Sequence, residues 1–247
     1  FIVLLPGVLA FVLGWLTFRN RIRGVYFSIL SQALSIIFVV LFIGQQAYTG
    51  GTNGITNFTT IFGYPLILDE TKLALYYISI VLLGLVYIYC RFIVTHRIGR
   101  ILLAIKDGEN RVRFSGYNPT KYKIFVYVSS AVIAGIAGAI FVPQVGIISP
   151  AEMGIVPSIE MVIWVAIGGR GTLIGAIIGA ICVNALKSGI SETFPEIWSY
   201  FIGLAFIIFV LYMPSGIIGV IKKYVNKLSL NEKTKNVVTA LSRHTIQ

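Results

Sequence analysis

A few polar side chains lie inside or beside long apolar runs, where they could recognise a polar solute. Gln32, Asn184 and Glu160 are the main examples. A polar group in hydrocarbon must face a partner, water or a ligand, because leaving it unpaired is costly. For Gln32 and Asn184 a hydrogen bond between helices competes with a role in a solute pathway. Glu160, followed by Trp164 one turn later, is either a functional carboxylate at membrane depth or a helix N-terminal group that stabilises the helix dipole.

The segment 45–55 is a second candidate for contact with a solute. It reads Gln-Gln-Ala-Tyr-Thr-Gly-Gly-Thr-Asn-Gly-Ile and follows an apolar run. Thr49, Thr52, Asn53 and the backbone amides could contact a small polar molecule. Alternatively the segment only caps a helix and turns.

The sequence offers no catalytic machinery and no metal site. It contains no His-Glu-x-x-His, no Gly-x-Ser-x-Gly and no Walker sequence, and His96 and His244 are isolated from other ligand residues. A membrane hydrolase therefore has no candidate residues, and nucleotide hydrolysis by this chain alone is not expected. What remains is a passage for a solute across a membrane, and we predict that the chain is not an enzyme and has no catalytic residue, metal or cofactor of its own.

The composition explains where these residues must sit. Of the 247 residues 57% are hydrophobic and 12% are charged, and the mean hydropathy is +0.88. Soluble domains carry about 25% charged residues. The composition excludes a soluble enzyme, a nucleic-acid-binding domain and a disordered chain, and predicts an all-α, polytopic membrane protein.

At least seven apolar runs are candidate spans, given that a helix needs roughly 20 residues to cross a bilayer. They are 1–18, 27–44, 73–95, 124–142, 159–168, 172–186 and 198–213. Because the chain opens at Phe1 within an apolar run, we expect a trimmed N-terminus or earlier spans. The runs 159–168 and 172–186 look too short for ordinary spans and are separated by Gly168, Gly169, Arg170 and Gly171. This pattern predicts broken helices, whose irregular backbone is either buried or lines a cavity. A stripe of small residues at 171, 175 and 179, and another at 135 and 138, predicts close helix packing.

The formal charge of +11 is distributed unevenly between the loops. Lys and Arg cluster at 19–23, at 91–123 and in the tail from 222, whereas the intervening loops carry Asp69, Glu70, Glu152, Glu192 and Glu196. The positive-inside rule places the basic segments in the cytoplasm. We therefore predict a transmembrane domain over 1–221, with a cytoplasmic loop at 96–123, and a basic cytoplasmic tail over 222–247.

The cytoplasmic loop 96–123 mixes apolar and charged residues at roughly helical intervals. Leu102, Ala104, Ile105, Val112 and Phe114 supply the apolar positions. This pattern predicts short amphipathic helices that either dock on a soluble partner or lie on anionic lipid headgroups.

At this loop the sequence resembles the integral membrane permeases of ABC importers for branched-chain amino acids and related solutes. The matching residues are Gly99-Arg-Ile-Leu-Leu-Ala-Ile-Lys-Asp-Gly-Glu-Asn-Arg, Gly116 and Lys121-Tyr-Lys. The resemblance extends to 23–29, 49–55 and 134–139. The stretch 158–176, with its Trp164 and its Gly-Gly-Arg-Gly turn, looks most like the urea-importing branch. Position 108 is Gly where relatives often carry a polar helix former, which bears on the continuity of the coupling helix.

The resemblance implies alternating access driven by partner subunits that bind ATP and magnesium. Those partners would be a second related permease, two cytoplasmic ATPases and a periplasmic or extracellular substrate-binding protein, assembled in the bacterial inner membrane without nucleic acid. The residues implied in coupling to the ATPase are Gly99, Arg100, Ala104, Ile105, Glu109, Arg111 and Gly116. On this basis Glu109→Lys or Ile105→Asp is expected to uncouple uptake without unfolding the spans.

The substrate and the mode of transport each keep an alternative. Urea is favoured mildly because the spans offer few charges for a zwitterion, and branched-chain amino acids are the alternative. An autonomous channel or ion-coupled carrier would also explain the glycine-interrupted spans, but would leave the amphipathic loop without a purpose.

Overall fold

The chain is helical throughout most of the part that could be described. The computed structural model describes residues 1–22, 24–56, 58, 60–61, 64–66, 68–193, 200, 203–204, 207, 211 and 216–219. The helices of four residues or more in the continuous segments are α1 Leu4–Arg19, α2 Val25–Gly44, α3 Gln46–Thr49, α4 Asp69–Thr95, α5 Arg97–Phe114, α6 Pro119–Val145, α7 Ile155–Gly168 and α8 Leu173–Thr193. Two 3-10 turns, Gly51–Asn53 and Pro150–Met153, and a two-residue antiparallel pair, Thr60–Ile61 with Tyr64–Pro65, complete these elements.

Within the described residues, four helices are long and apolar enough to cross a bilayer. They are α2, α4, α6 and the portion Leu173–Ile190 of α8. The predicted runs 1–18 and 159–168 correspond to α1 and α7, which are shorter apolar helices. The run 198–213 lies mostly outside the described residues, and the tail 222–247 lies entirely outside them. The all-helical prediction is therefore confirmed, but the prediction of at least seven spans is not.

One length prediction was wrong. The run 172–186 was expected to be too short to span, yet α8 continues to Thr193. The polar residues after Leu186 lower the hydropathy, so the apolar run ends there. They do not end the helix, because single polar residues and Gly189 disfavour a helix far less than proline does.

The apolar side chains of the spans point mainly outward. No residue of α2 is buried, although its sequence is apolar over 20 residues. A large apolar surface of this kind is stable when lipid covers it.

The chain divides into two compact units, Phe1–Ile155 and Val156–Gln247. In the first unit α1 packs along α6. Thr17 is buried and its hydroxyl donates to the carbonyl of Leu13 at 2.7 Å. A Cβ at Gly135 would come within 2.7 Å of the Ile2 carbonyl oxygen, whereas one at Gly138 would meet nothing within 4 Å. The predicted close packing is thus confirmed at Gly135 and not at Gly138.

Further contacts tie α1, α2, α4 and α6 together. The rings of Phe18, Phe27 and Tyr127 lie 5.5–5.8 Å apart and join the ends of α1, α2 and α6. The amide of Gln144 in α6 donates to the Ser79 hydroxyl in α4 at 3.0 Å.

In the second unit α7 and α8 form a tight antiparallel hairpin. A Cβ at Gly179 would collide with the carbonyl oxygen of Trp164, and one at Gly168 would collide with that of Gly175. Gly169 (φ 139°) and Gly171 (φ 86°) make the turn in backbone regions that favour glycine. The stripe at 171, 175 and 179 therefore packs closely at 175 and 179, while Gly171 belongs to the turn.

Candidate functional site

Helix α5 belongs to the first unit and is broken near its middle. Its backbone is extended at Gly108 (φ −176°, ψ 87°), which divides the helix at the position singled out in the sequence analysis. Such a φ is open to any residue, so the break does not itself require glycine. Two short helices therefore fill most of the predicted loop 96–123, and α6 begins inside that range at Pro119.

The apolar residues of α5 differ widely in exposure. Ile105 and Val112 are each only 8% exposed and anchor α5, which contacts α4 and α6. Leu103 and Phe114 are 59% and 92% exposed. An exposed apolar pair on a docked helix suits contact with another molecule.

Glu109 fixes α5 to α6 through an ion pair. Its carboxylate lies 2.7 Å from the Lys123 ammonium and 3.6 Å from the Arg113 guanidinium, and the Glu109 side chain is only 11% exposed. The Lys123 ammonium also lies 6.0 Å from the centre of the Phe18 ring. Glu109 therefore links α5 to the aromatic cluster that joins α1, α2 and α6.

This geometry bears on the expected effect of Glu109→Lys and Ile105→Asp. The Ile105 side chain is buried and that of Glu109 pairs with Lys123 of α6, so these variants would loosen α5 from the spans. Neither variant would probe a surface that faces a partner.

The other predicted coupling residues lie at the surface or at turns. Arg100, Ala104 and Arg111 are exposed, and the Arg111 guanidinium donates to the Asp107 carbonyl at 3.1 Å. A Cβ at Gly99 would collide with the Val94 carbonyl, so glycine permits the tight turn from α4 into α5. Gly116 has φ 85° and makes the turn towards α6.

The pathway candidates of the first unit differ in whether their polar side-chain atoms form hydrogen bonds within the protein. In the part of the chain that is described, the buried Oε1 of Gln32 accepts no hydrogen bond. By contrast, the Thr49 hydroxyl donates to the carbonyls of Phe42 and Gln45, as a helix cap does. Thr52 and Asn53 lie exposed in a 3-10 turn. Gln32, Thr52 and Asn53 therefore keep free polar capacity, whereas Thr49 caps α2.

The turn at 45–55 is hydrogen-bonded to the segment around Ile148, which lies far from it in the sequence. Ile55 and Ile148 exchange two backbone hydrogen bonds of 2.9 and 3.1 Å. A Cβ at Gly54 would collide with the backbone of Ile148 and Ser149. The glycine therefore allows this close approach between two loops.

The second unit contains a charged pair that bridges α7 and α8. The Lys187 ammonium donates to both carboxylate oxygens of Glu160 at 2.9 Å. The Glu160 side chain is 14% exposed and that of Lys187 is 40% exposed. Because Glu160 lies in the second turn of α7, Lys187 stabilises it more directly than the helix dipole does.

The other predicted residues of this unit have structural contacts. Asn184 donates to the Ala180 carbonyl of its own helix at 2.8 Å, and among the described residues it has no hydrogen bond to another helix. Trp164 packs against the cluster of Ile163, Ile167 and Val183. Arg170 is exposed at the turn between α7 and α8.

The structure thus groups the predicted residues into two separate sets. Gln32, Thr49, Thr52 and Asn53 belong to the first unit, and Glu160, Trp164 and Asn184 to the second. Sequence reasoning missed the pairing of Lys123 with Glu109 and the bond of Gln144 to α4. The only hints of these two contacts in the sequence were the positions of this lysine and this glutamine near apolar runs. No group of three His, Cys, Asp or Glu side chains in the described ranges could hold a metal ion.

Comparison with known proteins identifies a family and several relatives. The family described as "Branched-chain amino acid transport system / permease component" matches residues 1–211. The high-affinity branched-chain amino acid permease LivM of Salmonella typhimurium is 23% identical over 237 residues, covering 87% of this chain and 55% of the relative. The xylose permease XylH of Escherichia coli K12 is 26% identical over 226 residues, covering 87% of this chain and 52% of the relative.

A shorter match is found with the ribose import permease RbsC of Escherichia coli K12, 28% identical over 116 residues, covering 44% of this chain and 36% of the relative. No solved structure matches. The chain spans about half the length of LivM and XylH. The names of these relatives refer to branched-chain amino acids, xylose and ribose, and none refers to urea, so the expected urea specificity is not supported. Because the family match covers most of the sequence, the chain belongs to the family described as "Branched-chain amino acid transport system / permease component".

Proposed function

We propose that this chain forms part of the translocation pathway of an ATP-driven importer and is moved by separate ATPase subunits. The observation that carries the proposal is the attachment of α5. This helix is anchored to the spans through Ile105, Val112 and the Glu109–Lys123 pair, while Leu103 and Phe114 remain exposed. A helix held in this way can transmit a push from a soluble partner to α6 and α1.

The expected assembly follows from this role. A second related permease and two cytoplasmic ATPases, which bind ATP and magnesium, would complete the transporter in the bacterial inner membrane. A substrate-binding protein outside would deliver the solute. Alternating access would then result from rocking of the two permeases about a shared pathway.

Branched-chain amino acids are the first substrate candidate. The LivM relative carries that substrate class in its name. The Glu160–Lys187 pair also supplies one negative and one positive group close together in the second unit. Such a pair is suited to the ammonium and carboxylate of a zwitterion, so the scarcity of charges in the spans no longer favours urea.

Urea is the second candidate because of one stretch of sequence. The segment 158–176, with Trp164 and Arg170, resembles the urea-importing branch. In the structure Trp164 packs in the core of its hairpin and Arg170 is exposed, so these two residues could differ between branches without touching the solute.

Uptake of labelled leucine and labelled urea at low concentration tests the proposal. Cells with the gene, without it and with the gene restored would be compared, and the partner ATPase would be deleted in a parallel strain. Loss of leucine uptake alone supports the first candidate, and loss of urea uptake alone supports the second. Uptake that survives deletion of the ATPase, or solute flux through the purified chain in liposomes without ATP, would favour an autonomous channel or carrier.

A further inference from the structure

An open groove lies on the surface of the first unit, beside α1, α4 and α6. Its volume is about 1270 Å³, above the roughly 300–1,000 Å³ of ordinary small-molecule sites. Apolar side chains such as Phe11, Val86, Val128 and Val132 line most of its length. An apolar occupant is therefore expected along the groove.

One end of the groove is strongly basic. Arg19, Arg21, Arg113 and Lys121 all line it, although they come from the end of α1, the end of α5 and the start of α6. The Arg19 guanidinium lies 4.8 Å from the centre of the Trp15 ring. No Asp or Glu is among the described residues that line the groove. Glu109, 3.6 Å from Arg113, lies outside the lining and also holds Lys123. The basic end therefore carries an excess of positive charge.

The dimensions match one leaflet of a membrane. Pro119 and Ile133, both in the lining, are separated by about 21 Å of helix at about 1.5 Å per residue. A leaflet contributes about 15 Å of hydrocarbon below its headgroups. The basic end also coincides with the segments that the distribution of Lys and Arg places in the cytoplasm.

We propose that this groove binds an anionic phospholipid of the cytoplasmic leaflet. The phosphate would lie among Arg19, Arg21, Arg113 and Lys121, where guanidinium groups can bind it in a bidentate manner. An acyl chain would extend along Val128 and Val132. An apolar helix of another chain would fill the groove but would leave the four cations without a counter-charge, so the charge favours a lipid.

Native mass spectrometry of the permease, purified with its associated subunits and stripped of lipid, tests this proposal. Phosphatidylglycerol and phosphatidylcholine would be added separately to the wild type and to the triple variant Arg19→Gln/Arg21→Gln/Lys121→Gln. Each basic residue near an anionic surface contributes about fivefold to affinity. We therefore expect the wild type to prefer phosphatidylglycerol, and the triple variant to lose at least about tenfold of its affinity for it.

A matched control removes the same charge elsewhere on the predicted cytoplasmic side. The variant Arg91→Gln/Arg97→Gln/Lys106→Gln changes residues outside the groove and should retain phosphatidylglycerol. Val128→Trp keeps every charge but obstructs the apolar channel and should weaken binding, with Val126→Trp as its control. Equal retention of both lipids, equal losses in the two triple variants, or displacement of the lipid by inorganic phosphate at millimolar concentration would overturn the proposal.

Discussion

At the scale of single residues, the role of each charged side chain in the membrane domain depends on the side chain with which it pairs. Glu160 reads as an isolated acid in the sequence, but it binds Lys187, 27 residues later in the chain. Glu109 likewise binds Lys123 across the turn between α5 and α6. In a poorly hydrated environment an ion pair matters for stability mainly because removal of one partner leaves the other charge buried and unpaired.

Removing either partner of the Glu160–Lys187 pair should destabilise the second unit. Glu160→Gln or Lys187→Met should cost about 1–2 kcal/mol, less than the 3–5 kcal/mol of a fully buried pair, because water screens the 40% exposed lysine. Thermal unfolding in detergent measures this effect.

The exchange Glu160→Lys/Lys187→Glu separates structure from substrate binding. It should restore much of the stability while leaving leucine uptake impaired, because a zwitterion would meet reversed charges. Restored uptake would limit the pair to a structural role. Lys72→Met, which breaks an exposed pair with Asp69, is the matched control and should change stability by no more than about 0.5 kcal/mol.

At the scale of elements, α5 and the α7–α8 hairpin show two ways of fixing a helix. Buried side chains and an ion pair attach α5 to the spans. By contrast, α7 and α8 approach through glycines, so that backbone meets backbone. The attachment of α5 leaves part of its surface exposed, whereas the close approach of α7 and α8 leaves no room for a side chain between them.

Two substitutions in α5 should have opposite consequences. Leu103→Glu should leave stability within about 0.5 kcal/mol of the wild type and abolish ATP-driven uptake, because it places a charge on the face proposed to meet the ATPase. Ile105→Asp should cost about 2–4 kcal/mol, because it buries a carboxylate. Unfolding curves, uptake and co-purification of the ATPase distinguish the two. Normal uptake by Leu103→Glu would contradict the proposed coupling face.

The hairpin should not tolerate a methyl group at Gly179. Gly179→Ala should destabilise the chain by about 1–3 kcal/mol, because the Trp164 backbone occupies the space. Gly138→Ala is the matched control within a helix. Its added Cβ meets nothing, so stability should stay the same or rise by about 0.5–1 kcal/mol. Equal thermal stability of the two variants would show that the hairpin can open without cost.

At the scale of the whole molecule, the distribution of charge sets the orientation in the membrane. The loops rich in Lys and Arg and the loops with acidic residues alternate along the chain. Among the described residues, α2, α4 and α6 supply the crossings that this alternation needs in the first unit.

Cysteine labelling checks the predicted orientation. With Cys90 and Cys182 replaced, Asp69→Cys should react with a membrane-impermeant maleimide in intact spheroplasts. Lys106→Cys should react only after the membrane is permeabilised, since its loop is predicted to lie in the cytoplasm. Both native side chains are exposed, so accessibility within the protein does not bias the comparison. The reverse labelling pattern would invert the topology.

The sequence by itself determined the helical class, the approximate positions of α2, α4 and α6, and the amphipathic character of α5. These properties depend on local composition, because a helix in lipid satisfies its own backbone and buries no specific partner. The tertiary structure decided which residues have which partners. It paired Glu160 with Lys187 and Glu109 with Lys123, buried Ile105 while exposing Leu103, and brought Gly179 but not Gly138 against a backbone. These outcomes depend on which helix lies alongside, and residues distant in sequence set that contact.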